Sequence, residues 1–325
     1  LIPCNKENEA RMNGKNQSSS SGFILLGLSV RPELWVPLSS LLLVMYLVTL
    51  LGNLLIILLI RSDAHLLHAP MYFFLSHLSL TDVCFTSTTI PKMLQNMMTQ
   101  TKSISHGGCV AQMFFYMAFG NTDNLLLAAM AYDRYVAICR PLHYTVLMSP
   151  KRCVLLAGSC WLLAFLHSLL YALLVSRLFF CASREIPHFF CDLYPMMRLS
   201  CSDLTLLETV SVTEGMTEVL TPFALIVVSY ILIFCAIMKV PSATGKRKAF
   251  STCGSHLTIV VLFYAIIGVY FQPAAQYSAQ QGMVFAIMYT VITPMANPYI
   301  YSLRNKDVQG ALRRLWGRKV LSQRG

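Results

Sequence analysis

Leu34-Trp35-Val36-Pro37-Leu38-Ser39-Ser40-Leu41-Leu42-Leu43-Val44-Met45-Tyr46-Leu47-Val48-Thr49-Leu50-Leu51-Gly52-Asn53-Leu54-Leu55-Ile56-Ile57-Leu58-Leu59-Ile60 runs between Glu33 and Arg61 without one charged side chain. A helix crossing a bilayer needs about 20 mostly apolar residues at ~1.5 Å rise each. This segment has them, with length to spare for tilt. Charge-free windows recur between Arg152 and Arg177, between Glu218 and Lys239, and from Lys248 to Arg304. The last is too long for one helix, and Gln272-Pro273 through Gln280-Gln281-Gly282 divides it in two. Two further apolar stretches are interrupted by acids: Met71–Leu94 holds Asp82, and Cys109–Cys139 holds Asp123 and ends on Asp133-Arg134. The reading is an all-α membrane protein of seven spans, at 34–60, 70–95, 106–139, 150–175, 204–239, 247–271 and 281–303. An outer tail (1–33) precedes the bundle (34–303), and an amphipathic inner tail (304–325) follows it.

Composition agrees. Of 325 residues 56% are apolar and 12% charged, with mean hydropathy +0.59. Soluble domains carry roughly 25% charge, and disordered chains need low hydrophobicity, so both classes are excluded. The net charge of +11 sorts by side. With the amino terminus outside, most Lys and Arg fall in inner loops and the tail, the distribution that orients membrane proteins. The basic excess is thus a topology signal and gives no reason to expect nucleic acid. The first 20 residues are polar, without the apolar core of a signal peptide, so the first span is expected to act as signal anchor. The chain opens on Leu1, and Met12 is a candidate start. Asn16-Gln17-Ser18 is a glycosylation sequon on the outer side.

Cys109, Cys181, Cys191 and Cys201 lie toward the oxidising side, where four cysteines allow two disulfides in three pairings. The others sit in or near spans as small apolar filler. His188-x-x-Cys191-Asp192 is also readable as metal ligands, a reading outweighed by the cysteines having each other.

Asp133-Arg134-Tyr135 at the inner end of span three and Asn297-Pro298-x-x-Tyr301 in span seven resemble a rhodopsin-like (class A) G protein-coupled receptor. Gly52-Asn53, Asp82, Trp161 and Pro222 fit the same family. The finer resemblance is to vertebrate olfactory receptors. It rests on Pro70-Met71-Tyr72-Phe73-Phe74-Leu75-Ser76, Met130-Ala131-Tyr132-Asp133-Arg134-Tyr135-Val136-Ala137-Ile138-Cys139, Pro141-Leu142-His143-Tyr144, Lys248-Ala249-Phe250-Ser251-Thr252-Cys253 and Ser302-Leu303-Arg304-Asn305. The resemblance implies the pairings Cys109–Cys191 and Cys181–Cys201. It implies an odorant pocket between spans three, five and six, a stimulatory olfactory-type G protein that raises cyclic AMP, and a ciliary plasma membrane. Two features depart from the family. Pro294-Met295-Ala296-Asn297-Pro298-Tyr299 replaces its usual Pro-Met-Leu-Asn-Pro-Phe, and Lys246-Arg247-Lys248 leaves Arg134 without an acidic partner at span six.

Ionisable groups inside a bilayer are costly and turn to the bundle interior, so Asp82 and Asp123 are functional candidates. The family arrangement brings them together near Asn53, Asn124 and Asn297. Two carboxylates in a dry site stay charged together only with a cation; sodium is the candidate, a protonated carboxyl the alternative. No other cofactor is required. Glu214 and Glu218 are four apart on one face of span five, extended by Ser211 and Thr221, and are expected to line a cavity. Tyr116, Met117, Gly120, Asn121 and Asn124, with Met113, give span three a small and polar face with room for a ligand. Tyr264, Ile267, Gly268 and Phe271 supply the wall from span six. The plainer alternative bonds Glu214 to Asn121 or Tyr116.

Arg134, at the inner interface, is expected to snorkel and, by resemblance, to be released when spans three and six part for the G protein, with Tyr230 and Tyr301 holding the open form. His256 is expected to be a packed, hydrogen-bonded histidine rather than a pH switch. Val308, Leu312, Leu315 and Trp316, flanked by Arg313, Arg314, Arg318 and Lys319, form a basic amphipathic helix for the anionic inner leaflet, with no Cys for palmitoylation. The rivals are weaker. A channel or transporter lacks inverted repeats, and an intramembrane aspartyl protease lacks its Gly-x-Gly-Asp motif, so no enzyme is expected. A class A receptor for a non-odorant metabolite is the runner-up.

Overall fold

The computed structural model describes residues 22–28, 32–99, 101–181, 183–270, 279–304 and 307–314. Seven long helices dominate it: α1 (Trp35–Ser62), α2 (Pro70–Thr99), α3 (His106–Cys139), α4 (Pro150–Val175), α5 (Thr205–Met238), α6 (Ala243–Tyr270), and α7, built of Ala279–Ile287, a π turn at Met288–Ile292 and Thr293–Arg304. The helix α8 covers residues 307–314. α2 runs past the expected limit of 95, and α6 begins ahead of 247. A helix satisfies its backbone internally in lipid and in water alike, so it need not stop where the apolar stretch does. Proline interrupts α2 at Pro91, α5 at Pro222 and α7 at Pro298.

Helix α3 is central, packing on α2, α4, α5 and α6, while α7 packs on α1 and α6. Its position shows in its burial: from Leu126 to Ala131 every residue is buried. The outer helices are the reverse. Leu41, Leu47, Leu51 and Leu58 of α1, Leu155, Leu162 and Leu166 of α4, and Leu220, Val228 and Ile231 of α5 all face outward. Among the described residues four helices are long and apolar enough to cross a membrane, and their exposed apolar faces belong against lipid.

The end of the bundle that carries residues 22–28 is closed by a feature absent from the sequence reading, which treated residues 1–33 as tail. Phe23–Leu25 form strand β1, antiparallel to β2 (Ser103–Ile104) and parallel to β3 (Glu185–Ile186), giving the order β2-β1-β3. Phe23 and Leu25 are fully buried with Met113, Cys109 and Cys191 in an outer core cluster. Two disulfides pin this lid: Cys109–Cys191, with Cα atoms 5.3 Å apart, and Cys181–Cys201, at 6.0 Å. They are the pairs implied by the resemblance. The disulfide consumes Cys191, and among the described residues no cluster of His, Cys, Asp and Glu has the makings of a metal site. His188, buried among Phe189 and Phe190, is held neutral, its pKa pushed down to about 3 by burial.

At the inner end α8 is clasped to the bundle. Tyr72 donates to Asp307 at 2.9 Å, and Arg314 pairs with Asp63 at 2.6 Å, holding that carboxyl below its usual range. Val308 and Ala311 bury on the core side and Arg313 stays exposed. Leu315, Trp316, Arg318, Lys319 and Asn16 lie outside the described residues.

Helices α1 and α7 meet at Gly52, where a Cβ would approach Pro298 to 3.1 Å. Gly52→Val overpacks this contact, which costs about 1–3 kcal/mol. The purified variant is expected to melt several degrees lower in a detergent thermal-shift assay, and an unchanged melting temperature would show that the two helices do not need this close approach.

Candidate functional site

Within the apolar bundle one chain of polar contacts crosses four helices. On α6, Tyr264 donates its hydroxyl to Asn124 Oδ1 at 2.5 Å, and Asn124 Nδ2 donates to the Glu218 backbone carbonyl of α5 at 3.0 Å. The Glu218 carboxylate lies 2.7 Å from His167 Nδ1 on α4, and His167 Nδ1 lies 3.1 Å from Asn121 Nδ2 on α3. Both side chains of the Glu218–His167 pair are 14% exposed, and His167 Nε2 is buried without a partner among the described residues. Polar groups so placed in an apolar wall are the usual means by which a pocket orients a small ligand. His167 meets the criterion that singles out Asp82 and Asp123, an ionisable group inside a span, and belongs with them.

Several expectations are corrected here. Glu214 and Glu218 do not act together: Glu218 turns inward, while Glu214 is exposed. Four residues advance a helix about one turn plus 40°, enough to put one of the pair past the edge of the buried stripe. Glu214 is not the partner of Asn121, whose amide meets His167. The site's acid points to α4 rather than only into the space between α3, α5 and α6. Gly120 leaves no empty room, because a Cβ there would lie 2.9 Å from the Tyr289 hydroxyl and 3.5 Å from the Phe85 ring. Tyr289 is delivered by the π turn of α7, a widened turn of the kind found at functional sites, and no sequence signal announced it. Tyr116 stacks on Phe85 at 5.0 Å and meets Phe190 of the outer loop at 4.5 Å. Met117 is half-buried between the core clusters. The side chains of Ile267 and Gly268, and all of Phe271, lie outside the described residues.

A second polar group sits deeper. Asp82 on α2 accepts both contacts of Asn297 Nδ2 on α7, at 2.8 and 3.1 Å. Asp123 on α3 accepts from the Thr81 hydroxyl. Both carboxylates are buried. Asp123 and Asn297 line one small cavity with Phe85, Tyr289 and Thr293, of ≈ 10 Å³. Asn53 donates to the carbonyls of Thr49 and Pro294, each at 3.0 Å, and its Oδ1, like that of Asn297, is buried and unpaired among the described residues. Asn124, expected here, serves the other chain, because its side chain turns toward α5 and α6.

Toward the inner side Arg134 is 8% exposed and donates to Met71 Sδ, so it does not snorkel: α2 covers it. Its neighbour Asp133 accepts from Tyr144 at 2.8 Å, while Tyr135 is half-buried beside Ile233, Ile237 and Cys253. His256 is packed and bonded. Its Nε2 reaches the Leu127 carbonyl at 3.1 Å, which only accepts, so Nε2 carries the proton and Nδ1 accepts from Tyr230 at 2.7 Å. Tyr230, His256 and Leu127 thus tie α5, α6 and α3 together. The Tyr301 hydroxyl is buried without a partner among the described residues, one turn beyond Asn297 and Pro298.

The chain is similar to known proteins over nearly its whole length. The sequence model of the olfactory receptor family matches residues 42–319. "Olfactory receptor 1L4" of Homo sapiens is 57% identical over 94% of this chain and 98% of its own length. "Olfactory receptor 1E2" of Gorilla gorilla gorilla is 55% identical over 94% of this chain and 97% of its own. "Olfactory receptor 1f45" of Rattus norvegicus is 54% identical over 96% and 98%. With four membrane-capable helices among the described residues and this likeness over nearly its whole length, the protein is a multi-pass membrane receptor that belongs to the olfactory receptor family.

Proposed function

We propose that this receptor binds a small, mostly apolar odorant beside the polar chain of α3–α6 and passes the signal to a stimulatory G protein that raises cyclic AMP. The observation that carries the reading is the pair of contacts Glu218–His167 and Asn124–Tyr264, at 2.7 and 2.5 Å, which join α5 to α4 and α6 to α3. Glu218 is already paired, so the odorant need not be an amine; an alcohol, aldehyde or ketone that bonds the buried His167 or Tyr264 suits the site. Tyr116, Met117, Gly120 and Asn121 form its α3 side. The amino terminus lies outside, as the basic inner loops demand, and sensory cilia are the expected membrane.

The conformation described is read as the resting one. Arg134 is shut against Met71, and the Tyr230–His256–Leu127 link holds α5 and α6 on α3. A ligand that displaces Tyr264 from Asn124 loosens α6 at its outer half. It then shifts the population toward a form in which Arg134, Tyr230 and Tyr301 rearrange for the G protein, provided it binds that form more tightly. Asp133 and Tyr135 frame the same inner surface, and Asn297 with Pro298 supplies the adjustable stretch of α7. The carboxylates of Asp82 and Asp123, with the unpaired Oδ1 atoms on Asn53 and Asn297, are oxygen donors of the kind that suits a small hard cation. Sodium there would hold α2, α3 and α7 in the resting packing.

Three measurements test these roles. Glu218→Gln is expected to raise the odorant concentration for half-maximal cyclic AMP by about tenfold, the scale of one lost charge-assisted bond. Glu214→Gln should leave it unchanged, and equal effects would remove the Glu218–His167 pair from recognition. Arg134→Ala, at normal surface level, should abolish the cyclic AMP response; a retained response sinks its switch role. Replacing Na⁺ with N-methyl-D-glucamine should raise basal signalling in the native receptor and not in Asp82→Asn, whereas no change in the native receptor would leave a protonated carboxyl as the answer.

A further inference from the structure

The outer lid encloses a cavity that the odorant site does not use. β1 and the backbone to Leu28 form its roof, with the chain turned over it at Gly27, whose φ is 71°. Trp35 of α1, Met93 and Met97 of α2, and Phe189 of the outer loop are its walls, and Lys102 closes one side. Its volume is ≈ 30 Å³, beyond the roughly 10–15 Å³ that a single water occupies on the same measure. Two of its walls are methionines, unbranched side chains that re-pack readily around a guest.

One polar group is aimed into this apolar space. Asn96, on α2, is 7% exposed, and its Oδ1 has no hydrogen-bond partner among the described residues. Buried amide groups are nearly always paired, so the carboxamide awaits one. Lys102 is not that partner, because its ammonium lies 3.4 Å from the Leu26 carbonyl and 5.7 Å from the centre of the Trp35 ring. The chemistry narrows the guest. A cation is repelled by Lys102, and a carboxylate offers the Asn96 oxygen only lone pairs. A neutral hydroxyl fits, since it donates to the oxygen and can accept from the amide, while a short alkyl chain lies among Trp35, Met93, Met97 and Phe189.

We propose that this cavity is a second small-molecule site, separate from the α3–α6 chain, that takes a short-chain alcohol. It is connected to the odorant site. Phe189 packs on Phe190 with ring centres 5.0 Å apart, and Phe190 on Tyr116 at 4.5 Å. An alcohol that fixes Phe189 therefore changes odorant affinity, and an odorant changes alcohol affinity by the same factor.

The test is photolabelling of the full receptor in lipid nanodiscs, without odorant or G protein, using azibutanol, a four-carbon alcohol that carries a diazirine. Label is expected on the peptides containing Met93–Met97 or Phe189. Asn96→Leu and the cavity-filling Met97→Trp should each lower it about tenfold, and the same diazirine without the hydroxyl should label the native receptor no better than azibutanol labels Asn96→Leu. Equal labelling by the hydroxyl-free probe, or undiminished labelling of Met97→Trp, overturns the proposal and leaves the cavity to water. Should Asn96→Leu fail to fold, the other two comparisons decide. Because the readout needs no signalling, it succeeds or fails independently of the odorant reading.

Discussion

A carboxylate in the middle of a bilayer has to be answered from within the protein, and the pairing of Asp82 with Asn297 is where this fold meets that demand. Both Asp82 oxygens take the amide of Asn297, which fixes α7 against α2. Around that contact α7 is irregular. Its π turn frees backbone carbonyls, and Thr86 of α2 donates to that of Thr290 at 3.2 Å while Thr293 donates to that of Met288 at 3.2 Å. The irregularity swings Tyr289 into the space beside Gly120. The Asp82–Asn297 pair and the placing of Tyr289 beside Gly120 thus belong to the same irregular stretch of α7.

The receptor has three polar groups held by one helix. α3 carries Asn121 and Asn124 on the faces toward α4, α5 and α6, Asp123 on the face toward α2, and Asp133-Arg134 near its carboxyl end, and each group ties it to different neighbours. That arrangement makes α3 the element that all three polar groups share.

Much of this was legible in the sequence. The charge-free windows required spans, and the acids inside spans two and three marked the buried Asp82 and Asp123 group. The motifs around Asp133 and Asn297 named the family. His256 was legible as a packed histidine because a lone imidazole in an apolar helix needs bonded partners. The errors have one physical origin. Helical spacing says which residues share a face but not how far that face is rotated, so Glu214 and Glu218 were equivalent on paper and only one points inward. The same limit hid the Glu218–His167 pairing, the Tyr289 side chain beside Gly120, and the cover that Met71 gives Arg134.

By itself, then, the sequence determined the solvent, the helical spans and the family, because those follow from residue chemistry summed along one chain. Only the tertiary structure decided which polar groups meet, that residues 23–25 become a strand in the outer lid, and that Asn96 faces an unfilled cavity beneath it. Those are distances between segments far apart in sequence. They are set by how seven helices and their loops pack together, which no periodicity within one segment encodes.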